Sequence, residues 1–155
     1  MNQYDQIAEW YAETRSRDVG VPDLTAFAPT LPRQARILDL GCGTGIPISR
    51  YLIGEGIEVV AIDSSPAMIA RYRANFPDVP AHCQRAERAE FAAASFAGVV
   101  AWGVLFHLPE AEQRALIGRV TKWLQPGGRF LFTSGDVEAE GNGEMNGVTF
   151  PYVSL

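Results

Sequence analysis

The sequence predicts a doubly wound α/β domain built on a mostly parallel sheet. Three observations carry this expectation: short apolar runs rich in β-branched residues alternate with stretches of helical periodicity, a glycine-rich turn links the first run to a helix, and an acid closes the second run. At 155 residues with 47% hydrophobic content, the chain is long enough for one substantial core and short for two full domains. It is therefore read as one domain over 1–155, with a helical cap at 1–34, a core at 35–133 and a loop or tail at 134–155.

Tyr4, Ile7, Trp10 and Tyr11 recur at helical spacing and predict an amphipathic helix from Tyr4 to Arg15. A shorter helix follows Pro22 with Leu24, Phe27 and Ala28, and Pro29 and Pro32 end it. Ala35–Leu40 reads as a buried strand. From Thr44 the pattern is helical, with Ile48, Tyr51 and Leu52 on one face and Gly54 as a stop. Ile57–Ile62 is a second strand, ending on Asp63.

Ser65 is the expected N-cap of the next helix, Pro66 its first residue, and Ile69, Tyr72 and Phe76 its buried face. Pro80–Cys83 is a short third strand and Phe96–Trp102 a fourth. A helix from Pro109 to Leu124 turns Leu116, Val120 and Trp123 inward, and Gly128–Thr133 is a fifth strand. Asp136–Asn146, rich in glycine and acids, is expected to be a loop.

A net charge of -5 argues against a nucleic-acid partner, whose phosphates call for a basic face. The N-terminus lacks the basic and apolar regions of a signal peptide, and no apolar run is long enough to cross a bilayer. The expectation is a soluble, cytoplasmic protein without a membrane partner. Cys42 and Cys83 are read as reduced thiols, and no metal site is assigned.

The turn Asp39-Leu40-Gly41-Cys42-Gly43-Thr44-Gly45 lies where a doubly wound fold binds nucleotides. A dinucleotide fingerprint has its third glycine three positions after the second; here the glycines fall on every second residue, with Asp39 inside the strand. Asp63, at the end of the second strand, is placed to accept both ribose hydroxyls of an adenosine, through charge-assisted bonds worth about 1.5–3 kcal/mol each. Its alternative is a helix-capping acid.

The acid-x-Gly-x-Gly-x-Gly pattern resembles the first motif of class I S-adenosylmethionine-dependent methyltransferases, of the small-molecule group that includes ubiquinone- and menaquinone-biosynthesis enzymes. Asp63–Ile69 is similar to that family's segment after the second strand, Gly98–Leu108 to its fourth strand and following loop, and Leu124–Phe130 to its turn into the fifth strand. The resemblance implies a Rossmann-like methyltransferase sheet with S-adenosylmethionine as cofactor and a small-molecule acceptor.

Carried over by position, it implies that Asp39 offers negative charge to the cofactor ammonium, that Gly41, Gly43 and Gly45 let the backbone approach closely, and that Cys42 and Thr44 between them belong to the same binding turn. Ser64 and Met68 would flank the adenine, Ala86 or Glu87 would recognise it, and Trp102 and Gly103 fall in the loop after the fourth strand. Tyr4, Trp10 and Tyr11 would cover the sulfonium end, where aromatic faces suit a cation, and Arg15 would reach the cofactor carboxylate. His107 is the candidate base for a hydroxyl or carbon acid, or else a structural histidine bonding the loop backbone.

The chain departs from the family pattern at three places. Arg85 precedes Ala86-Glu87 where the family often has an acid, and Ala97 stands where it often has Asp. A complete fold of this class also adds a helix and an antiparallel strand pair after the fifth strand. Only Asp136–Leu155 remain here, with Val148–Val153 expected as one short strand at most. The expectation is a sheet lacking that final pair, its fifth strand an open edge, in either a fragment of a longer protein or a homodimer joined at that edge.

No Asn-Pro-Pro-aromatic or Asp-Pro-Pro-aromatic motif follows the fourth strand, which speaks against amino methylation of DNA or glutamine. Two other readings stand beside methyl transfer: a module that binds S-adenosylmethionine without catalysis, and an NAD-dependent oxidoreductase, which the glycine spacing disfavours.

Overall fold

The computed structural model describes residues 2–154. Five parallel strands form the main sheet: β1 (Arg36–Leu40), β2 (Glu58–Asp63), β3 (Ala81–Cys83), β4 (Phe96–Ala101) and β5 (Leu124–Phe132), in the order β3-β2-β1-β4-β5. The helices are α1 (Gln3–Thr14), α2 (Val21–Phe27), α3 (Ile48–Gly54), α4 (Pro66–Asn75) and α5 (Glu110–Trp123).

Strand alternation sorts the core into two layers. Leu38, Leu40, Val60, Ile62, Val99 and Ala101 face α5, where Leu116, Val120 and Trp123 close over them. Each Leu, Ile or Val among them contributes about 1.5–3 kcal/mol on full burial. On the other face, Ile37, Val59 and Val100 meet Leu24 and Phe27 of α2 and Ile48 and Leu52 of α3. Ala61 and Ala81 meet Ile69 and Tyr72 of α4. Strand order reverses between β1 and β4, and an open α/β sheet forms its ligand crevice at such a switch point.

Two expected boundaries move. Helix α3 begins at Ile48 rather than Thr44, because Gly45 holds a left-handed conformation (φ 79°), through which a right-handed helix cannot run. Strand β5 begins at Leu124, directly from α5.

The C-terminal segment has the short strand expected at Val148–Val153 but corrects the loop expected at Asp136–Asn146. Instead of a loop or tail, it forms an antiparallel pair, β6 (Ala139–Met145) and β7 (Val148–Ser154), joined by Asn146-Gly147. Both turn residues have positive φ, 49° and 76°, as a two-residue type I′ hairpin turn requires. The turn and the ladder hydrogen bonds make this hairpin, so the glycines and acids of β6 did not prevent it. The pair does not extend the main sheet, where β5 remains an edge. Instead β7 packs on α1 and on the 3-10 turn Leu105–His107.

Candidate functional site

The glycine turn hangs on the end of β2. The amides of Gly41 and Cys42 donate to the Ile62 carbonyl at 2.8 and 3.0 Å, and the Gly43 amide donates to Asp63 Oδ2 at 2.9 Å. Asp63 Oδ1 accepts from the Ser65 amide at 2.8 Å. Both carboxylate oxygens are thus oriented by backbone, with lone pairs remaining for a ligand. Burial pushes the Asp63 pKa up against the pull of these amides, and the nearby Asp5 adds to the rise.

The three glycines of the turn differ in what a side chain would meet. A Cβ on Gly45 would lie 2.5 Å from the Phe76 ring and 2.7 Å from that of Tyr72, and one on Gly41 would lie 2.1 Å from a Val104 methyl. Gly43 is different: the nearest atom to its Cβ would be in Tyr11, 3.9 Å away. Gly43 therefore faces open space, whereas Gly45 is required by packing.

Helix α1 roofs this space. Asn2 and Asp5 form a capping box, and Asp5 Oδ1 also accepts from Ser65 Oγ at 2.5 Å and from the Ala67 amide at 3.2 Å, fastening α1 to the start of α4. Ser65 caps α4 as expected, accepting from the Met68 amide at 3.1 Å. Asn2 donates to Ser64 Oγ at 2.6 Å, and Gln3 donates to the Thr149 carbonyl of β7 at 2.6 Å.

His107 joins the remaining elements. Its Nδ1 lies 3.1 Å from the Pro151 carbonyl, which can only accept, so Nδ1 carries the hydrogen. Its Nε2 then accepts from the Tyr4 hydroxyl at 2.9 Å. Burial lowers the His107 pKa, partly offset by the Pro151 bond, and the imidazole is held neutral. Burial, with Tyr11 and Asp63 nearby, pushes the Tyr4 phenol well above its ordinary range.

These groups enclose a cavity of about 630 Å³ above the switch point. Of the residues expected at a cofactor site, Tyr4, Tyr11, Gly41, Gly43, Asp63, Ser64, Met68, Ala86, Glu87, Trp102 and Gly103 line it, together with His107. Glu87 is paired with Arg85.

The other expected residues lie elsewhere. Asp39 shares a sheet face with Ile37 and is buried beneath the turn, accepting from Ser49 Oγ at 2.6 Å, while Tyr72 donates to that same oxygen at 2.8 Å. Burial pushes the Asp39 pKa up to about 7, opposed by the Ser49 bond and assisted by Asp63. Cys42 and Thr44 are buried, and burial raises the Cys42 thiol pKa well above its ordinary value. Gly45 packs on Tyr72 and Phe76. Arg15 lies over the Tyr11 ring, 5.2 Å from its centroid, outside the cavity lining, as does Trp10.

Sequence reasoning missed Asn2, Asp5, Val104 and Phe150, which also line the cavity. Asn2 followed three residues later by Asp5 is a capping-box signal. Phe150 reaches the cavity wall through the Asn146-Gly147 hairpin, whose docking is not a local sequence signal.

The family described as methyltransferase domain matches residues 37–128, more than half of the chain, running from within β1 through β4. The chain belongs to this methyltransferase family. Among curated relatives, the domain is 27% identical over 152 residues to a carboxy-S-adenosyl-L-methionine synthase of Yersinia enterocolitica, covering 86% of this chain and 57% of the relative. It is 35% identical over 103 residues to the synthase of the same name from Geobacter metallireducens, covering 61% and 42%. The chain thus spans about half the length of the curated relatives it matches.

A solved protein of Pyrococcus horikoshii superposes on the methyltransferase domain with a TM-score of 0.68 at 28% identity, covering 77% of this chain and 57% of that one. A Burkholderia thailandensis 1,6-didemethyltoxoflavin-N1-methyltransferase shares the fold, with a TM-score of 0.72 at 19% identity, covering 98% and 67%.

Proposed function

We propose that the protein binds S-adenosylmethionine over the switch point and transfers its methyl group to a small-molecule acceptor. The observation that carries this reading is the tie between Gly43 and Asp63. It brings an open glycine turn and a backbone-oriented carboxylate to one wall of a cavity roofed by two tyrosines. The donor set fits the cofactor: a carboxylate for ribose hydroxyls, open backbone for an amino-acid end, and aromatic faces for a sulfonium.

In this reading Asp63 accepts the ribose hydroxyls, Ser64 and Met68 flank the adenine, and Ala86 and Glu87 meet its edge. Gly41, Gly43, Trp102 and Gly103 border the methionine end, and Tyr4 and Tyr11 cover the positive centre. Asp39 acts from beneath the turn by holding Ser49. The bound cofactor supplies a methyl carbon activated by the sulfonium, and the protein's main task is alignment, which contributes about 7–11 kcal/mol in well-oriented reactions. Both nitrogens of His107 are engaged, which favours a positioning role over that of a general base.

The curated relatives are named for making a carboxylated form of the same molecule, which supports the cofactor assignment. Titration calorimetry with S-adenosylmethionine, S-adenosylhomocysteine and NAD tests it. One-to-one binding of the first two and none of NAD is expected; preference for NAD would overturn the reading. Mass-spectrometric detection of a methylated acceptor then separates an enzyme from a non-catalytic binding module.

We also infer a homodimer through β5, whose nine-residue edge carries the 41% exposed Phe132 and is left unpaired by the hairpin. Light scattering should give twice the 16.9 kDa chain mass, and the monomer mass at all concentrations would contradict it.

A further inference from the structure

We propose that a second cavity, between the hairpin, the turn at Phe106–His107 and the segment after β5, is the acceptor site, and that it takes a neutral or cationic, mainly apolar ring compound. This deepens the reading above and rests on it. The cavity measures about 490 Å³, within the range of small-molecule sites. It shares two wall residues, His107 and Phe150, with the cofactor cavity, so an occupant would sit next to the end covered by Tyr4.

The lining chooses the ligand class. Phe106, Phe150 and Tyr152 contribute rings, Val137 and Met145 apolar surface. The charged residues of the lining are Asp136 and Glu144, both exposed carboxylates, with no Lys or Arg among them. An anionic acceptor would therefore meet like charge and find no ion partner, whereas an amine would find one.

One polar group in the wall stays unpartnered. Ser154 is 6% exposed, lines the cavity, and its Oγ has no hydrogen-bond partner among the described residues. A buried hydroxyl left in this state is destabilising. Gly143 also lines the cavity, and a Cβ built on it meets nothing within 4 Å, so this wall has room for a side chain that would fill the space.

The test uses three probes with one ring system and different charge: tryptamine, indole and indole-3-acetate, titrated into the whole chain with S-adenosylhomocysteine present. Tryptamine and indole should bind, with indole-3-acetate at least tenfold weaker than tryptamine. Gly143→Leu should weaken tryptamine at least tenfold while leaving S-adenosylhomocysteine affinity unchanged, and Val137→Trp, at an exposed wall position, should act likewise if Gly143→Leu fails to fold. Equal affinity for the anion, no binding of any probe, or unchanged tryptamine affinity in both folded variants would overturn the proposal. If S-adenosylhomocysteine fails to bind while tryptamine binding still depends on Gly143, the cofactor reading falls and the ring site stands.

Discussion

The Tyr4 hydroxyl donates to Nε2 of His107 across 2.9 Å, joining helix α1 to the turn after β4, while Nδ1 of the same ring holds the Pro151 carbonyl of β7. One neutral imidazole thereby connects the roof, the turn after β4 and the hairpin. Tyr4→Phe should lower stability by about 0.5–1.5 kcal/mol, the usual worth of such a bond. His107→Ala should cost more, because it also leaves Pro151 unpartnered. Urea denaturation of the two variants should rank them in that order.

The same ring sets an acid limit. Burial lowers the His107 pKa from 6.5, so below that value the unfolded chain binds a proton that the folded chain resists. Stability from this group is present above pH 6.5 and falls as pH drops through the lower folded value. Protonation also removes the acceptor for Tyr4. The melting temperature of the wild type should decline with acid over this interval more than that of His107→Gln.

Asp39 works in the opposite sense. Its pKa rises from 3.8 to about 7, so the folded chain holds the proton more tightly, and stability falls as pH rises between those values. Asp39→Asn keeps an acceptor for Ser49 and avoids the buried charge. It should melt higher than wild type at pH 8 and equal to it at pH 4; equal melting at pH 8 would contradict the burial argument.

Gly45→Ala and Gly43→Ala should fail for different reasons. At Gly45 both the positive φ and the ring contacts oppose a methyl, at a cost of about 2–5 kcal/mol. At Gly43 only the backbone term of about 1–2 kcal/mol applies, and the methyl enters the cavity. Gly43→Ala should therefore fold and bind S-adenosylhomocysteine about tenfold more weakly, a loss of about 1.4 kcal/mol. Thermal melts and calorimetry on both variants check this contrast.

The parallel sheet and its glycine turn were legible in the sequence because their signals are local: apolar runs of strand length, an N-cap at Ser65 followed by Pro66 at the first helical position, and glycines spaced for a turn. Which turn residues face the cavity was less legible. Strand alternation already puts Asp39 on the face of Ile37, beneath α3 and away from the cavity, although its charge alone suits a ligand contact. The hairpin was missed because β6 has no apolar alternation, although Asn146-Gly147 marks a two-residue turn. Phe150 and the second cavity depend on where that hairpin docks, which is a tertiary matter.

In the proposed function, Asp63 and the open face of Gly43 hold the ribose and the amino-acid end of one S-adenosyl ligand. A crystal structure of the protein with S-adenosylhomocysteine tests it most directly. Ribose hydroxyls within hydrogen-bond distance of Asp63, with the sulfur beneath Tyr4 and Tyr11, is the predicted result; a ligand bound away from Asp63, or an empty cavity at saturating ligand, would contradict it.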